Sequence, residues 1–317
     1  MPRAQPALLR GLVGAWPAVH AGRESPAAVA NYLRGFDTGG PIHTMHGDPA
    51  IGGHFFYNAA LTGRNFESRM QPLVATLEQL LALIPDPAPP ALYAGAVPTP
   101  ASLPGFNRAN SLALLDPAIV PRIWLSNRVT VQTHYDLSDN IACVVAGRRR
   151  FTLFPPEQLV NLYVGPLEFT LAGQPISMVR LEAPDYEKYP RFREALMQAQ
   201  SAELEPGDAL YIPYMWWHHV ESRATFNVLV NYWWDDVPPW SGSPFEAMLH
   251  CLMSIRALPP ERRAIWRTVF DHYIFQTGGD PVAHLTPQQR GIQGTPSPQI
   301  AELIRAQLLH VLSRGRR

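Results

Sequence analysis

Apolar and polar positions alternate differently in three stretches of the chain, which predicts three structural regions. Residues 1–115 mix short helical patterns with a strand-like aromatic piece at 54–57, so we expect a mixed region that packs on a core. Residues 116–236 carry short alternating apolar runs separated by turn residues, the pattern of β-strands. Residues 237–317 return to helical spacing. The sequence therefore predicts a mainly β protein, with a double-stranded β-helix (a small jelly roll) between N-terminal and C-terminal helices.

Prolines mark the boundaries of the predicted local elements. Residues 71–83 have apolar side chains at helical spacing, with Pro72 suited to the first turn of a helix. The proline-rich segment 85–104 predicts a connector, and residues 184–199 break the strand rhythm and predict a loop with a short helix. In the C-terminal region, three helices are predicted to begin at prolines: 244–258, 260–275 and 298–312.

Composition narrows the classes of function without choosing one. The chain has 317 residues, 46% of them hydrophobic, which is enough for a substantial core. Lys+Arg and Asp+Glu both number 26, so no net basic field favours nucleic acid as a partner. The sequence has two cysteines and nothing like a signal peptide or a membrane-spanning apolar run. We therefore expect a cytoplasmic protein with no membrane partner.

The candidate chemistry begins with His134-Tyr-Asp136, at the end of a strand-like run. Side chains two apart on a strand share a face, so His134 and Asp136 can bind one metal ion. With 11 histidines in the chain the His-x-Asp pattern is weak by itself, and a second copy occurs at His46-Gly-Asp48. That copy is followed by Pro49 and glycines, a turn context without a strand, and we interpret it as a decoy.

A third ligand is expected from the segment 205–222, where a Pro-Gly-Asp turn precedes a short apolar strand and the pair His218-His219. Adjacent strand residues face opposite ways, so only one of the two histidines can reach the metal. The other is then a neighbouring packing or orienting group. Parity alone does not choose between them.

Several motifs in a fixed order resemble one known family. The match is good over about residues 85–236, and it rests on the stretches 133–140, 146–156, 184–190, 207–213 and 216–222. Together they resemble the JmjC/cupin-like 2-oxoglutarate oxygenases. Within that family they are most similar to the asparaginyl hydroxylases that inhibit hypoxia-inducible factor and to the bacterial cupin-like relatives of those enzymes.

The resemblance implies roles for individual residues. It makes His134, Asp136 and His218 the ligands of Fe(II), which separates His218 from His219. The family Lys that holds the distal carboxylate of 2-oxoglutarate is replaced here by Arg149, whose guanidinium can meet a carboxylate through two hydrogen bonds. Three more positions match family residues around 2-oxoglutarate: Asn140, Asn231 and Tyr93.

Alternative explanations exist for these additional residues. Each Asn could instead bond neighbouring backbone, and Arg148-Arg149-Arg150 could be a solvated hairpin turn. Alternation favours a role for Arg149, because it shares a face with Phe151 and Leu153.

The resemblance implies an Fe(II)- and 2-oxoglutarate-dependent oxygenase that uses O2, releases succinate and CO2, and hydroxylates a C–H bond, with a peptide or protein side chain as the expected substrate. Three alternatives remain: a small-molecule hydroxylase, a jelly-roll protein that binds metal or a small molecule without 2-oxoglutarate turnover, and a structural module with a vestigial site. A lysine demethylase fits less well.

Apolar residues at 300–312 form a broad helical stripe. From the residues alone, this stripe could equally pack on the chain's own jelly roll. Similar hydroxylases dimerise through C-terminal helices, so the resemblance favours a homodimer.

Overall fold

The computed structural model describes residues 4–171 and 173–314 of the chain. The chain divides into two compact units, Met1–Asp235 and Asp236–Arg317. All the strands that the described residues form lie in the first unit, and the second unit is built from helices and loops. The mainly β fold predicted from the alternating pattern is confirmed.

Two sheets make up the first unit. The larger has eight antiparallel strands, in the spatial order β1-β11-β8-β13-β6-β5-β2-β4: β1 (Ala7–Leu9), β2 (Pro41–Gly47), β4 (Phe66–Pro72), β5 (Ala91–Pro98), β6 (Pro121–Ser126), β8 (Asp139–Ala146), β11 (Ala209–Ile212) and β13 (Asn227–Trp234). The smaller has five strands, in the order β10-β9-β12-β7-β3: β3 (His54–Phe55), β7 (Thr130–His134), β9 (Arg149–Phe154), β10 (Gln200–Leu204) and β12 (Trp217–Ser222).

The two sheets face each other across an apolar interior, as a jelly roll requires. Ala142 and Val144 of β8 pack in one buried cluster with Phe151 and Leu153 of β9. The intervening β8 residues, such as Cys143, point to the opposite face and join a second buried cluster. Strand β8 is thus buried on both faces, which explains why its sequence is an uninterrupted apolar run.

Three helices cover the outer face of the larger sheet: α1 (Pro17–Glu24), α2 (Pro26–Arg34) and α3 (Leu73–Ala82). Val19, Leu33 and Leu77, one from each helix, are fully buried in the same cluster as Cys143 and Val145 of β8. Burying a side chain such as Leu33 or Leu77 contributes about 1.5–3 kcal/mol. This layer covers the face of the sheet opposite to the interior where the candidate site lies.

The prediction of a connector at residues 85–104 is wrong. Ala91–Pro98 forms β5, which pairs with β2 on one side and β6 on the other. The prolines of this segment lie before the run, at its last position and after it, so the backbone N–H groups within the strand remain free to pair. Two short helices follow, α4 (Thr99–Ser102) and α5 (Phe106–Ala109).

Other local predictions are close to the observed elements. The helix predicted at 71–83 is α3, but Pro72 belongs to the preceding strand and stands at the helix N-cap. The segment 184–199 forms turns and one short helix, α6 (Phe192–Met197). It packs beside a 3₁₀ helix at Pro156–Asn161.

The three α-helices described in the second unit each begin at the predicted proline: α7 (Pro244–Ser254), α8 (Pro260–Tyr273) and α9 (Pro298–Ser313). Ser243 caps α7 by accepting from the N–H of Phe245, and Ser297 caps α9 by accepting from the N–H of Ile300. The apolar stripe of α9 is exposed in the single chain, with Leu303 at 63% and Val311 at 58%. None of the described helices has the length and apolar character needed to cross a membrane.

Candidate metal centre and the cavity around it

Three side chains with metal-binding atoms converge inside the jelly roll. His134 ends β7, Asp136 follows two residues later, and His218 of β12 lies directly opposite His134 in the antiparallel pair. One nitrogen or oxygen atom from each residue lies within 4.8 Å of those from the other two. Within residues 4–171 and 173–314, no other three His, Cys, Asp or Glu side chains converge in this way.

Both histidines are oriented with Nε2 toward the centre. Nδ1 of His134 donates to the backbone oxygen of Gln132 at 2.8 Å, and Nδ1 of His218 donates to that of Trp216 at 3.0 Å. A carbonyl oxygen can only accept, so the proton of a neutral ring lies on Nδ1 and the lone pair on Nε2. Burial and the adjacent His218 lower the pKa of His134 to about 4, which leaves this ring neutral at pH 7.

The carboxylate completes the set. Asp136 Oδ2 lies 3.5 Å from His218 Nε2 and accepts a hydrogen bond from Trp233 Nε1 at 3.0 Å. Two imidazoles and one carboxylate that converge from one side are the donor set of non-haem iron sites, which leave coordination positions open. The residues present therefore fit a divalent metal ion.

His219 faces away from the centre. It is fully buried on the other side of β12, where Nδ1 lies 3.2 Å from Thr133 Oγ1 and Nε2 lies 3.5 Å from a carboxylate oxygen of Glu182. Burial opposes ionisation of Glu182, but the proximity of His219, a backbone hydrogen bond and the nearby His54 together prevail and lower the pKa of the carboxyl to about 2. The geometry therefore places His218, and not its neighbour, beside His134 and Asp136.

Arg149 lies in the same interior. Its side chain is 2% exposed, and Nε and Nη2 are buried without a hydrogen-bond partner among the described residues. Burial lowers its pKa to about 10, so the guanidinium is still charged at pH 7. A buried, unpaired cation costs several kcal/mol unless an anion compensates it. Its neighbour Arg148 is exposed, as the alternation of β9 predicts.

The two asparagines bond each other rather than backbone. Asn231 Nδ2 donates to Asn140 Oδ1 at 3.1 Å, and Trp124 Nε1 donates to Asn231 Oδ1 at 2.6 Å. Both amides are buried on the inner face of the larger sheet. Tyr93 of β5 is also buried there, and burial raises the pKa of its hydroxyl above the usual range.

All the candidate residues line one cavity of about 710 Å³. Aromatic rings form much of its wall: Phe55 and Phe66 meet at 5.1 Å between centroids, Tyr93 and Trp124 at 5.8 Å, and Trp124 and Trp233 at 5.5 Å. A volume of this size accommodates a small organic molecule together with part of a second one. The triad, Arg149 and the asparagine pair therefore face a common space.

A comparison with known protein families shows which family this chain belongs to. Residues 1–239 match the family described as cupin-like domain. The chain belongs to the cupin-like domain family.

Curated relatives of this cupin-like protein match shorter segments. The chain is 36% identical over 132 residues to lysine-specific demethylase JMJ31 of Arabidopsis thaliana, which covers 41% of this chain and 22% of that protein. It is 39% identical over 106 residues to tRNA wybutosine-synthesizing protein 5 of Mus musculus, covering 33% and 30%. It is 36% identical over 119 residues to Jumonji C domain-containing protein 5 of Drosophila melanogaster, covering 37% and 28%. The matched segments thus span less than a third of the length of each of these relatives.

The second His-x-Asp copy of this cupin-like protein lies outside the cavity's metal-binding group. His46 is in β2 rather than in a turn, where Nε2 lies 3.0 Å from Thr44 Oγ1, so the expectation that this copy has no strand is wrong for His46. Asp48 is in the turn, and its side chain accepts from the N–H of Ala50. The two side chains therefore have separate local roles.

Sequence reasoning assigned no role to the aromatic wall or to the hydrogen bond of Trp233. A signal for Trp233 was present, because Asn231 and Trp233 share a face of β13 by parity. Trp124 gave no such signal, since it contacts Asn231 only through the pairing of β6 with β13.

Proposed function

We propose that this cupin-like protein is an Fe(II)- and 2-oxoglutarate-dependent oxygenase that hydroxylates a C–H bond of a peptide or protein side chain. O2 is the co-substrate, and succinate and CO2 are the co-products. The observation that carries the proposal is the convergence of His134, Asp136 and His218 beside the buried, unpaired guanidinium of Arg149.

The donor set supports the metal. Two imidazoles and one carboxylate occupy three positions of an octahedral ion and leave about three for exchangeable ligands. A structural zinc site would be closed by four protein ligands, and the described residues offer no fourth His, Cys, Asp or Glu in this group.

Arg149 supports the cosubstrate. A guanidinium in an apolar interior is stabilised by a carboxylate that accepts two parallel hydrogen bonds. Nε and Nη2 of Arg149 have no hydrogen-bond partner among the described residues, which favours a partner from outside the chain. A dicarboxylate such as 2-oxoglutarate would supply that partner at one end, while Asn140, Asn231 and Tyr93 offer polar groups nearby.

When bound, iron and 2-oxoglutarate supply the oxidation, in which one oxygen atom of O2 enters succinate and the other enters the substrate C–H bond. The chain's own residues hold the ion on one side through His134, His218 and Asp136. Arg149 would anchor a carboxylate away from the ion, and aromatic side chains line much of the cavity that the two molecules would share.

The charges around the cavity favour a neutral or acidic substrate group. The lining includes Arg64 and Arg149, and Asp136, a proposed metal ligand, is the single carboxylate among the described lining residues. No free carboxylate remains to accept the cationic head of lysine or arginine, and a cation buried without a partner is costly. This balance favours hydroxylation over removal of methyl groups from lysine.

One observation favours a second candidate function. Aromatic rings such as Trp124 and Tyr93 can bind a methylated ammonium group through cation–π contacts, and one relative is named a lysine-specific demethylase. The rings here contact one another in tilted or edge-on pairs, and the guanidinium of Arg122 already lies 5.5 Å from the ring centroid of Trp233. Demethylation would release formaldehyde, which hydroxylation of a carbon chain does not.

The test is turnover by the purified chain with Fe(II), 2-oxoglutarate and air. We expect slow formation of succinate without a substrate, and none from His134→Ala. A peptide library then identifies substrates as peptides that gain the mass of one oxygen atom, while trimethyl-lysine peptides are assayed for formaldehyde. Metal binding without succinate under any aerobic, iron-replete condition would contradict the oxygenase. Oxygen gain by free small molecules alone would contradict the peptide substrate.

A further inference from the structure

The carboxylate of the proposed metal centre has an orienting partner that lies far away in the sequence. Trp233 Nε1 donates to Asp136 Oδ2 at 3.0 Å, and the same oxygen lies 3.5 Å from His218 Nε2. A carboxylate oxygen has two lone pairs, so it can accept from the indole N–H and still bind a metal ion. We propose that Trp233 is a positioning residue that orients Asp136 as a ligand and thereby sets the affinity for the metal; this inference rests on the proposed metal centre.

The three ligands differ in how they are oriented. His134 and His218 each donate to a backbone carbonyl two residues earlier, so their orienting partners come with the strand itself. Asp136 follows the end of β7, and the chain offers its carboxylate no local partner of this kind. Trp233 Nε1 is the one hydrogen-bond donor to this carboxylate within the described part of the chain. It belongs to β13, 97 residues further on.

The indole of Trp233 has two side-chain neighbours of its own, Arg122 and Trp124. The guanidinium of Arg122 lies 5.5 Å from the ring centroid of Trp233, and Nη1 of Arg122 donates to the backbone oxygen of Ala96 at 3.3 Å. Trp124 meets the ring edge-on, with an interplanar angle of 88°. A cation over the ring face also polarises the indole, which makes its N–H a stronger donor. Arg122 therefore supports the same hydrogen bond without contacting Asp136.

Loss of the donor frees the carboxylate to rotate, so the ligand is no longer preorganised. Removing such an outer hydrogen bond typically weakens metal binding about 10–100-fold. The substitution Trp233→Phe removes the N–H and keeps a ring in the same packing. The matched control is Trp234→Phe, because Trp234 lies on the opposite face of β13 and stacks on Tyr211 with centroids 6.1 Å apart.

The experiment titrates each purified chain with Mn(II) and follows free Mn(II) by electron paramagnetic resonance. Visible absorption of the Co(II)-loaded chains reports ligand geometry independently of activity. We expect Trp233→Phe to bind Mn(II) about 10–100-fold more weakly and to shift the Co(II) spectrum, while Trp234→Phe matches the unaltered chain in both. A substitution that lowers only the stability of the fold would leave the Co(II) spectrum unchanged.

A second variant keeps the inference testable if Trp233→Phe fails to fold. Arg122→Met retains an apolar stem over the indole and removes the cation, so it should weaken Mn(II) binding less and shift the Co(II) spectrum in the same direction. The inference is overturned if the folded variants bind Mn(II) within about twofold of the unaltered chain and show the same spectrum. If the unaltered chain does not bind Mn(II), the metal centre itself fails, and this inference fails with it.

Discussion

Replacing Arg149 with methionine should stabilise the protein when no ligand is present. The side chain is 2% exposed, and two of its nitrogens have no partner among the described residues. Methionine has a similar length and no charge, so it can occupy the same space beside Phe151 without the cost of a buried ion. A residue kept for a ligand rather than for the fold is expected to behave in this way.

The size of the effect follows from the pKa. Burial lowers the pKa of Arg149 from its ordinary value to about 10, and each tenfold change corresponds to about 1.4 kcal/mol, so the folded state disfavours the charged form by about 3 kcal/mol. The pKa is lower in the folded state than in the unfolded state, so this penalty is complete below about pH 10 and disappears only above the ordinary pKa of a guanidinium. At pH 7 to 8 we therefore expect Arg149→Met to raise the free energy of unfolding by about 1–3 kcal/mol.

The assay is urea unfolding of the metal-free chain, followed by thermal unfolding with Mn(II) and 2-oxoglutarate. Added to the Mn(II)-loaded chain at 100 times its dissociation constant, 2-oxoglutarate should add about 2.7 kcal/mol to the stability of the unaltered chain, and Arg149→Met should lose most of that gain. The exposed neighbour supplies the control, since Arg148→Met should change neither quantity by more than about 0.5 kcal/mol. If Arg149→Met is less stable than the unaltered chain without ligand, the guanidinium contributes to the fold and the reasoning fails.

Three other predictions concern the metal, the cosubstrate and assembly. Alanine at His134, Asp136 or His218 should abolish binding of one Mn(II) per chain, measured by calorimetry, whereas Asp48→Ala should retain it. Retained binding in all three variants would contradict the proposed metal centre. Arg149→Ala should raise the 2-oxoglutarate concentration needed for half-maximal succinate formation by about 10-fold or more, because a charge-assisted pair worth about 1.5–3 kcal/mol is lost. A proportional loss of metal affinity would contradict this reason. We also expect a homodimer that buries the exposed stripe of α9, so Leu308→Arg should give monomers by light scattering; a variant that stays dimeric would show that this stripe is not the interface.

The sequence alone was sufficient for features that depend on local periodicity. Parity along β7 predicts that His134 and Asp136 share a face, and alternation along β9 predicts that Arg149 points inward while Arg148 points out. The starts of the C-terminal helices were predicted because proline is suited to the first helical position whatever surrounds it. The strand pattern at 116–236 likewise depends on residues close together in the chain.

Tertiary structure decided what depends on pairing between distant segments. Residues alone could not choose between His218 and His219, because that choice depends on the register of β12 with β7, which changes between His218 and Val220. The strand β5 was missed because flanking prolines obscured a run that two neighbouring strands complete. The bond from Trp233 to Asp136 spans 97 residues and exists only because β13 lies beside β8. Long-range contacts of this kind are set by the packing of two sheets, which no local pattern records.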